Sequence, residues 1–122
     1  MTTTASQDEI VQILTALKIN GVKSVALTTM EGRSLGSTVL EAGPRFKLGA
    51  LSAASIAIAG KTAAELSLGD LDQIQILGST GALILGAIGN KALLSVVTER
   101  VADFTPLIQQ MKKVSLRLSP ML

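Results

Sequence analysis

The order of periodic segments predicts an α+β domain: one antiparallel five-stranded sheet with helices on both faces, in the order helix, two strands, helix, three strands, helix. Three observations carry this reading. Two strand-like runs flank a tight turn at Glu31-Gly32. Three more form a meander between Asp72 and Val97. Three other stretches, following Gln7, Arg45 and Asp103, repeat their apolar residues at helical spacing. The chain has 122 residues, which suits one domain with a respectable core. Residues 6–118 are read as that domain, 1–5 as a disordered start and 119–122 as a tail, with no linker, internal repeat or low-complexity segment.

Each element has its own local reason. Ser6-Gln7-Asp8-Glu9 matches a capping box, with Ser6 at the N-cap and Glu9 three residues on. Ile10, Ile13, Leu14 and Leu17 follow on one helical face, and Asn20-Gly21 ends the helix. Ser24 to Met30 and Arg33 to Val39 form a hairpin around Glu31-Gly32, and Leu40 to Arg45, with Gly43-Pro44, is the loop into the central helix. Ser67-Leu68-Gly69-Asp70 turns the chain into a strand over Asp72 to Gly78, where Gln73 and Gln75 alternate with Ile74 and Ile76. Ala82 to Ile88 is almost wholly apolar and therefore a central strand, and Ala92 to Val97 is the fifth. The last helix starts near Asp103 to Thr105, carries Pro106 in its first turn, and buries Phe104, Ile108, Met111 and Leu118.

The stretch Lys47 to Leu66 stands apart. Leu48, Leu51, Ile58 and Leu66, with Ser55 and Thr62 between them, predict a core-facing stripe. Ala50, Ala53, Ala57, Gly60 and Ala64 make a second stripe of small residues, which lets another backbone approach closely. Only Lys47, Lys61 and Glu65 are charged. A helix apolar all round is covered on both sides. In so small a domain one cover is the chain's own sheet and the expected other is a second chain; the alternative is that Ala serves simply as a good helix former and the small face looks at water.

Composition agrees with an extra buried surface: 48% of residues are hydrophobic and 16% charged, and the mean hydropathy is +0.50. The longest run without a polar side chain, about Gly81 to Gly89, is far short of the roughly 20 residues a spanning helix needs. The polar start, MTTTASQDE, carries no signal pattern, so a cytoplasmic protein without a membrane span is expected. There is no cysteine and no histidine, which excludes disulfides, thiolate and imidazole nucleophile systems and the usual zinc ligands. Net charge is only +2, and Phe46 and Phe104 are the sole aromatics, so nucleic-acid binding by base stacking is not expected.

Local signals mostly read as ordinary structure. Gly60-Lys61-Thr62 resembles the tail of a phosphate-binding loop, but position 55 is Ser rather than Gly and Lys61 falls near a helix end. Asp70 and Asp72 fit turn chemistry better than an acid/base pair, and Gly78-Ser79-Thr80-Gly81 is a hairpin turn. Lys112, Lys113 and Arg117 suit a helix C-terminus, with contact to an acidic partner as the functional alternative. Arg33 and Arg45 could serve as fingers toward a bound nucleotide's γ-phosphate, but turn residues flank both, and plain exposure is the expectation.

Taken together, order and spacing resemble the Roadblock / dynein light chain family, prokaryotic type. The matching residues are Gly21-Val22, then Leu27 and Gly32 around the first turn, the Leu-Gly-Ala-Leu-Ser-Ala-Ala run of 48–54, Leu68-Gly69, the Gly89-Asn90-Lys91-Ala92-Leu93-Leu94 turn and strand, and Met111-Lys112-Lys113. The similarity covers about residues 6–118. Gly49 stands where the family more usually has Ala, and Thr105-Pro106 replaces a Leu-Gly-like helix start.

The resemblance implies a non-enzymatic homodimer with a Roadblock-like fold and no cofactor, metal or catalytic residue. Its third strands would pair edge to edge, through Asp72, Gln73, Ile74, Gln75, Ile76 and Leu77. Its central helices would pack through Ala50, Ala53, Ala54, Ala57, Gly60 and Ala64. Prokaryotic members partner small Ras-like GTPases, as in gliding-motility polarity, and eukaryotic relatives sit in the dynein motor and endosomal scaffolds. The expected function is therefore a regulator or scaffold for a small Ras-like GTPase, acting on hydrolysis through the switch loops. The alternative is a structural adaptor subunit of a motor or cytoskeletal assembly. A small-molecule enzyme would need a roomy pocket with convergent polar groups, which the pattern does not suggest.

Overall fold

A computed structural model of the chain describes residues 7–19, 21–39 and 45–122. The capping residue Ser6, Asn20 and the loop 40–44 lie outside them. The elements are α1 (Gln7–Leu14, tightening into a 3-10 turn at Thr15–Leu17), β1 (Val22–Thr28), β2 (Ser34–Val39), α2 (Arg45–Glu65), β3 (Gln73–Leu77), β4 (Gly81–Ile88), β5 (Ala92–Glu99) and α3 (Thr105–Leu118). All strand pairs are antiparallel, in the spatial order β2-β1-β5-β4-β3, so the greasiest strands lie inside and β2 and β3 are the edges. The α+β class, element order and single five-stranded sheet are those read from the sequence.

Strand alternation divides the interior in two. Ala92, Leu94 and Val96 of β5 join Val25, Leu27, Ile84 and Ile88 under α1 and α3. From α1 and its continuation Ile10, Ile13, Leu14 and Leu17 fill that layer, and from α3 come Leu107, Met111, Val114 and Leu118. The face of α3 is rotated slightly from expectation: Phe104 and Ile108 are only partly buried, and Leu107 and Val114 take the central places. Asp103 Oδ1 accepts a 2.9 Å hydrogen bond from the Thr105 N–H at the start of α3. The residues after α3 turn back, and Met121 and Leu122 pack against the same core.

The opposite sheet face carries α2 over a much smaller cluster, Ile56, Leu85 and Leu93, with Met30, Ala53, Leu71, Ile74 and Ala87 around it. Here the core-facing stripe differs from the one expected. Gly49, Ser52, Ile56 and Ala63 point inward, whereas Leu51, Ile58 and Leu66 are 61%, 69% and 64% exposed. The reason is room: Leu85 and Leu93 already fill the layer, so the helix lies close and turns small residues down. Ser52 Oγ and Ser95 Oγ, both buried, share a 2.9 Å hydrogen bond across this seam. At the helix start the approach is closer still. Gly32, at φ +94° in the β1–β2 turn, lies against Gly49, and a Cβ on Gly32 would come within 2.6 Å of the Gly49 carbonyl oxygen. Only glycine fits such a contact between backbones.

Candidate functional site

The outward side of α2 is the most unusual surface of the molecule. With Ser52, Ile56 and Ala63 turned inward, the 3.6-residue repeat places Ala50, Leu51, Ala54, Ala57 and Ile58 outward on adjoining turns. All five are exposed. Among the described side chains, charge on this side appears near the helix end, at Lys61 and Glu65, after which Leu66 and Leu68 are again 64% and 68% exposed. Soluble surfaces scatter single apolar residues, but a contiguous patch marks an interaction site.

Of the small residues expected at an interface, Ala50, Ala54, Ala57 and Ala64 are exposed, while Ala53 and Gly60 are half-buried at the shoulder of the helix. Ala53 packs inward, against the Ile56 cluster. A Cβ added to Gly60 would meet nothing within 4 Å, so this glycine stands in open space. Leu51 and Ile58 are the site residues that sequence reasoning missed. Volume reads as inward, yet Leu51 and Ile58 stand in solvent while small residues face the sheet.

Beside α2 the sheet ends in β3, which among the described residues pairs with β4 alone. Its other edge offers unpaired backbone groups. Ile74 opposes Leu85 and Ile76 opposes Leu83, so both isoleucines share the α2 side of the sheet. Ile74 reaches the cluster under α2, but Ile76 is 48% exposed. Gln73, Gln75 and Leu77 take the other face, with Leu77 51% exposed. Asp72 precedes the strand and is exposed. The free edge and the apolar helix face therefore adjoin on one side of the sheet.

The remaining sequence signals are not brought together. Lys61 and Thr62 lie within the last turns of α2, where the Thr62 hydroxyl donates to the Ile58 carbonyl at 2.8 Å, and no strand feeds a phosphate loop there. Asp70 and Asp72 are exposed, and no group of three or more potential metal ligands occurs among the described residues. Gly78 N–H donates to the Gly81 carbonyl at 2.8 Å, as a hairpin turn requires. Arg33 is exposed beside the β1–β2 turn, and the Arg45 side chain lies outside the described residues. Asp103 is held below the usual carboxylate range by the Thr105 side chain and then by the Thr105 backbone N–H, which is capping rather than catalysis. No helix of the described residues is long and apolar enough to cross a membrane. One feature was not foreseen: a groove of about 440 Å³ between α3 and the β3–β4 edge, on the face away from α2.

By sequence, the chain matches no family model and no curated protein. By structure it has many neighbours. A gliding protein, MglB, from Thermus thermophilus superposes with a TM-score of 0.85 at 21% identity, covering 99% of this chain and 93% of that one. An MglB described with a tetrameric arrangement gives 0.86 at 20% identity, covering 99% and 93%. A Roadblock/LC7 domain from Streptomyces avermitilis gives 0.78 at 18% identity, covering 93% and 91%. Superposing over nearly the full length of all three, this chain has the Roadblock fold.

Proposed function

We propose that this chain is a non-enzymatic regulator or scaffold for a small Ras-like GTPase, and that it works as a homodimer. The observation that carries the dimer is the exposed apolar face of α2. Leu51 and Ile58 lie more than half in solvent, and covering each stabilises by roughly 1.5–3 kcal/mol on transfer scales. A twofold axis beside α2 brings each copy's patch onto its twin, because such an interface uses the same surface twice. The adjoining β3 edge then extends the sheet into the second copy, satisfying the groups that an edge strand leaves open. One solved structure of the same fold is described as tetrameric, so dimers pairing further is compatible with this arrangement.

The regulatory part of the reading rests on the family resemblance and on shared fold with a gliding protein. The chain's own chemistry supports a role without catalysis. It has neither histidine nor cysteine, and its acidic residues form no cluster among the described residues. A protein so equipped acts on a GTPase by holding its switch loops rather than by supplying a nucleophile or base. Mixing the chain with a small Ras-like GTPase from the same organism and following phosphate release and nucleotide exchange tests this. A change in either rate is expected, and absence of binding refutes the regulatory role. Light scattering tests the dimer separately. Ala57→Arg, a charge on the outward face, is expected to halve the mass; an unchanged mass places the interface elsewhere.

A further inference from the structure

The sheet face opposite α2 is covered incompletely. α3 packs over the inner strands and stops short of β3, leaving the groove of about 440 Å³. Gln73, Gly86 and Ile88 floor it, and Ile108, Lys112 and Leu116 wall it on the α3 side. Its character is specific in three ways. The wall is aliphatic, and Leu116 is 76% exposed. Gln73 Oε1 has no hydrogen-bond partner among the described residues, and the half-buried side chain must turn its amide outward to meet a donor from outside. The exposed side of α3 carries Lys112, Lys113 and Arg117, and the helix contains no acidic residue.

We infer that this groove docks an acidic amphipathic helix of a partner protein. The aliphatic side of that helix lies against Ile108 and Leu116, its carboxylates face Lys112 and Arg117, and a donor from it reaches Gln73. Complementary charge steers such an encounter and selects among partners, while the apolar contact holds it. A nucleic acid fits less well. Phe104 is not among the lining residues, so no described aromatic is placed to stack a base there. The inference does not depend on the GTPase reading.

The test uses the full chain, labelled with nitrogen-15 and in whatever oligomeric state it adopts. It is titrated with a short amphipathic helical peptide built from Leu and Glu, then with the same peptide carrying Lys for Glu. The Glu peptide is expected to shift the Gln73 side-chain amide and the backbone amides of Gly86, Ser115 and Leu116. Its affinity should fall about tenfold with Lys112→Glu, and again as salt screens the charges. Leu116→Ser, another exposed position, should weaken binding without altering salt dependence. No shifts, shifts confined to α2, equal binding of the Lys peptide, or the same shifts from a single-stranded oligonucleotide at similar affinity would each overturn the inference.

Discussion

The two faces of the sheet are built on opposite plans. On the α1/α3 side, amphipathic helices turn Leu, Ile, Val and Met inward, and a broad core reaches from Ile10 to Leu118. On the α2 side the fully enclosed cluster is Ile56, Leu85 and Leu93, and the helix above it spends its bulkiest residues on solvent. The first face closes its core within one chain, apart from the groove beside β3. The second is closed with small residues below and left apolar above. The lesson is that composition alone cannot say which side of a helix is inside; the space left by the opposing layer decides.

The strongest way to break this comparison is to place the same charge on both outer surfaces. Ile58→Arg should abolish self-association, whereas Leu116→Arg, equally exposed but on α3, should leave the mass by light scattering unchanged. If both behave alike, the faces do not differ in the way described. Next come neighbouring leucines of β5, both fully buried but facing opposite layers. Leu94→Ala, in the broad core, should cost about 3–5 kcal/mol in urea unfolding. Leu93→Ala should cost about 2–3 kcal/mol, since the thinner layer collapses more readily into the space. Equal costs would show the α2 side to be packed as rigidly as the other.

Smaller effects sharpen the picture of the seam. Ser52→Ala strands the Ser95 hydroxyl in the interior and should cost about 1–3 kcal/mol, most of which the double change with Ser95→Ala restores. A double variant no better than the single would mean that the hydroxyls pair elsewhere. Gly60→Ala should stabilise the monomer by about 0.5–1 kcal/mol, because the added methyl meets open space within a helix. The same change should weaken the dimer if a second backbone approaches there. The smallest effect concerns Asp103 on the α1/α3 side. Its lowered carboxylate pKa means that its contribution is present above the ordinary aspartate range and is lost as pH falls through the folded value. Asp103→Asn should therefore remove a slight acid-range dependence of the melting temperature and leave neutral stability nearly unchanged.

Much of this was legible in the chain. Alternation at Gln73 to Ile76, turn residues at Gly32 and Gly89, and Pro106 inside the first turn of α3 each fixed an element near its observed place. The element order alone led to the fold. The site was legible in part: the low charge of α2 marked it as a surface needing cover, and the edge position of β3 came from the family resemblance. What failed was the rotation of α2. Leu51 and Ile58 read as core because their volume normally goes inward. The competing fact, that Leu85 and Leu93 had already filled the layer, belongs to residues more than twenty positions downstream. The groove was invisible for a similar reason, since it arises from where α3 stops rather than from any motif.

The Gly32–Gly49 contact has a mechanical consequence. With no side chain between them to flex, the hairpin tip and the first turns of α2 behave as a fulcrum, and the helix cannot slide there without carrying the hairpin along. Toward its far end the packing loosens: a Cβ on Gly60 would meet nothing, and past the buried Ala63 the chain leaves the helix through exposed Leu66 to Leu68. A force applied at the outer face of α2 would therefore swing the helix about its beginning, and the largest displacement would be delivered to the segment leading into β3.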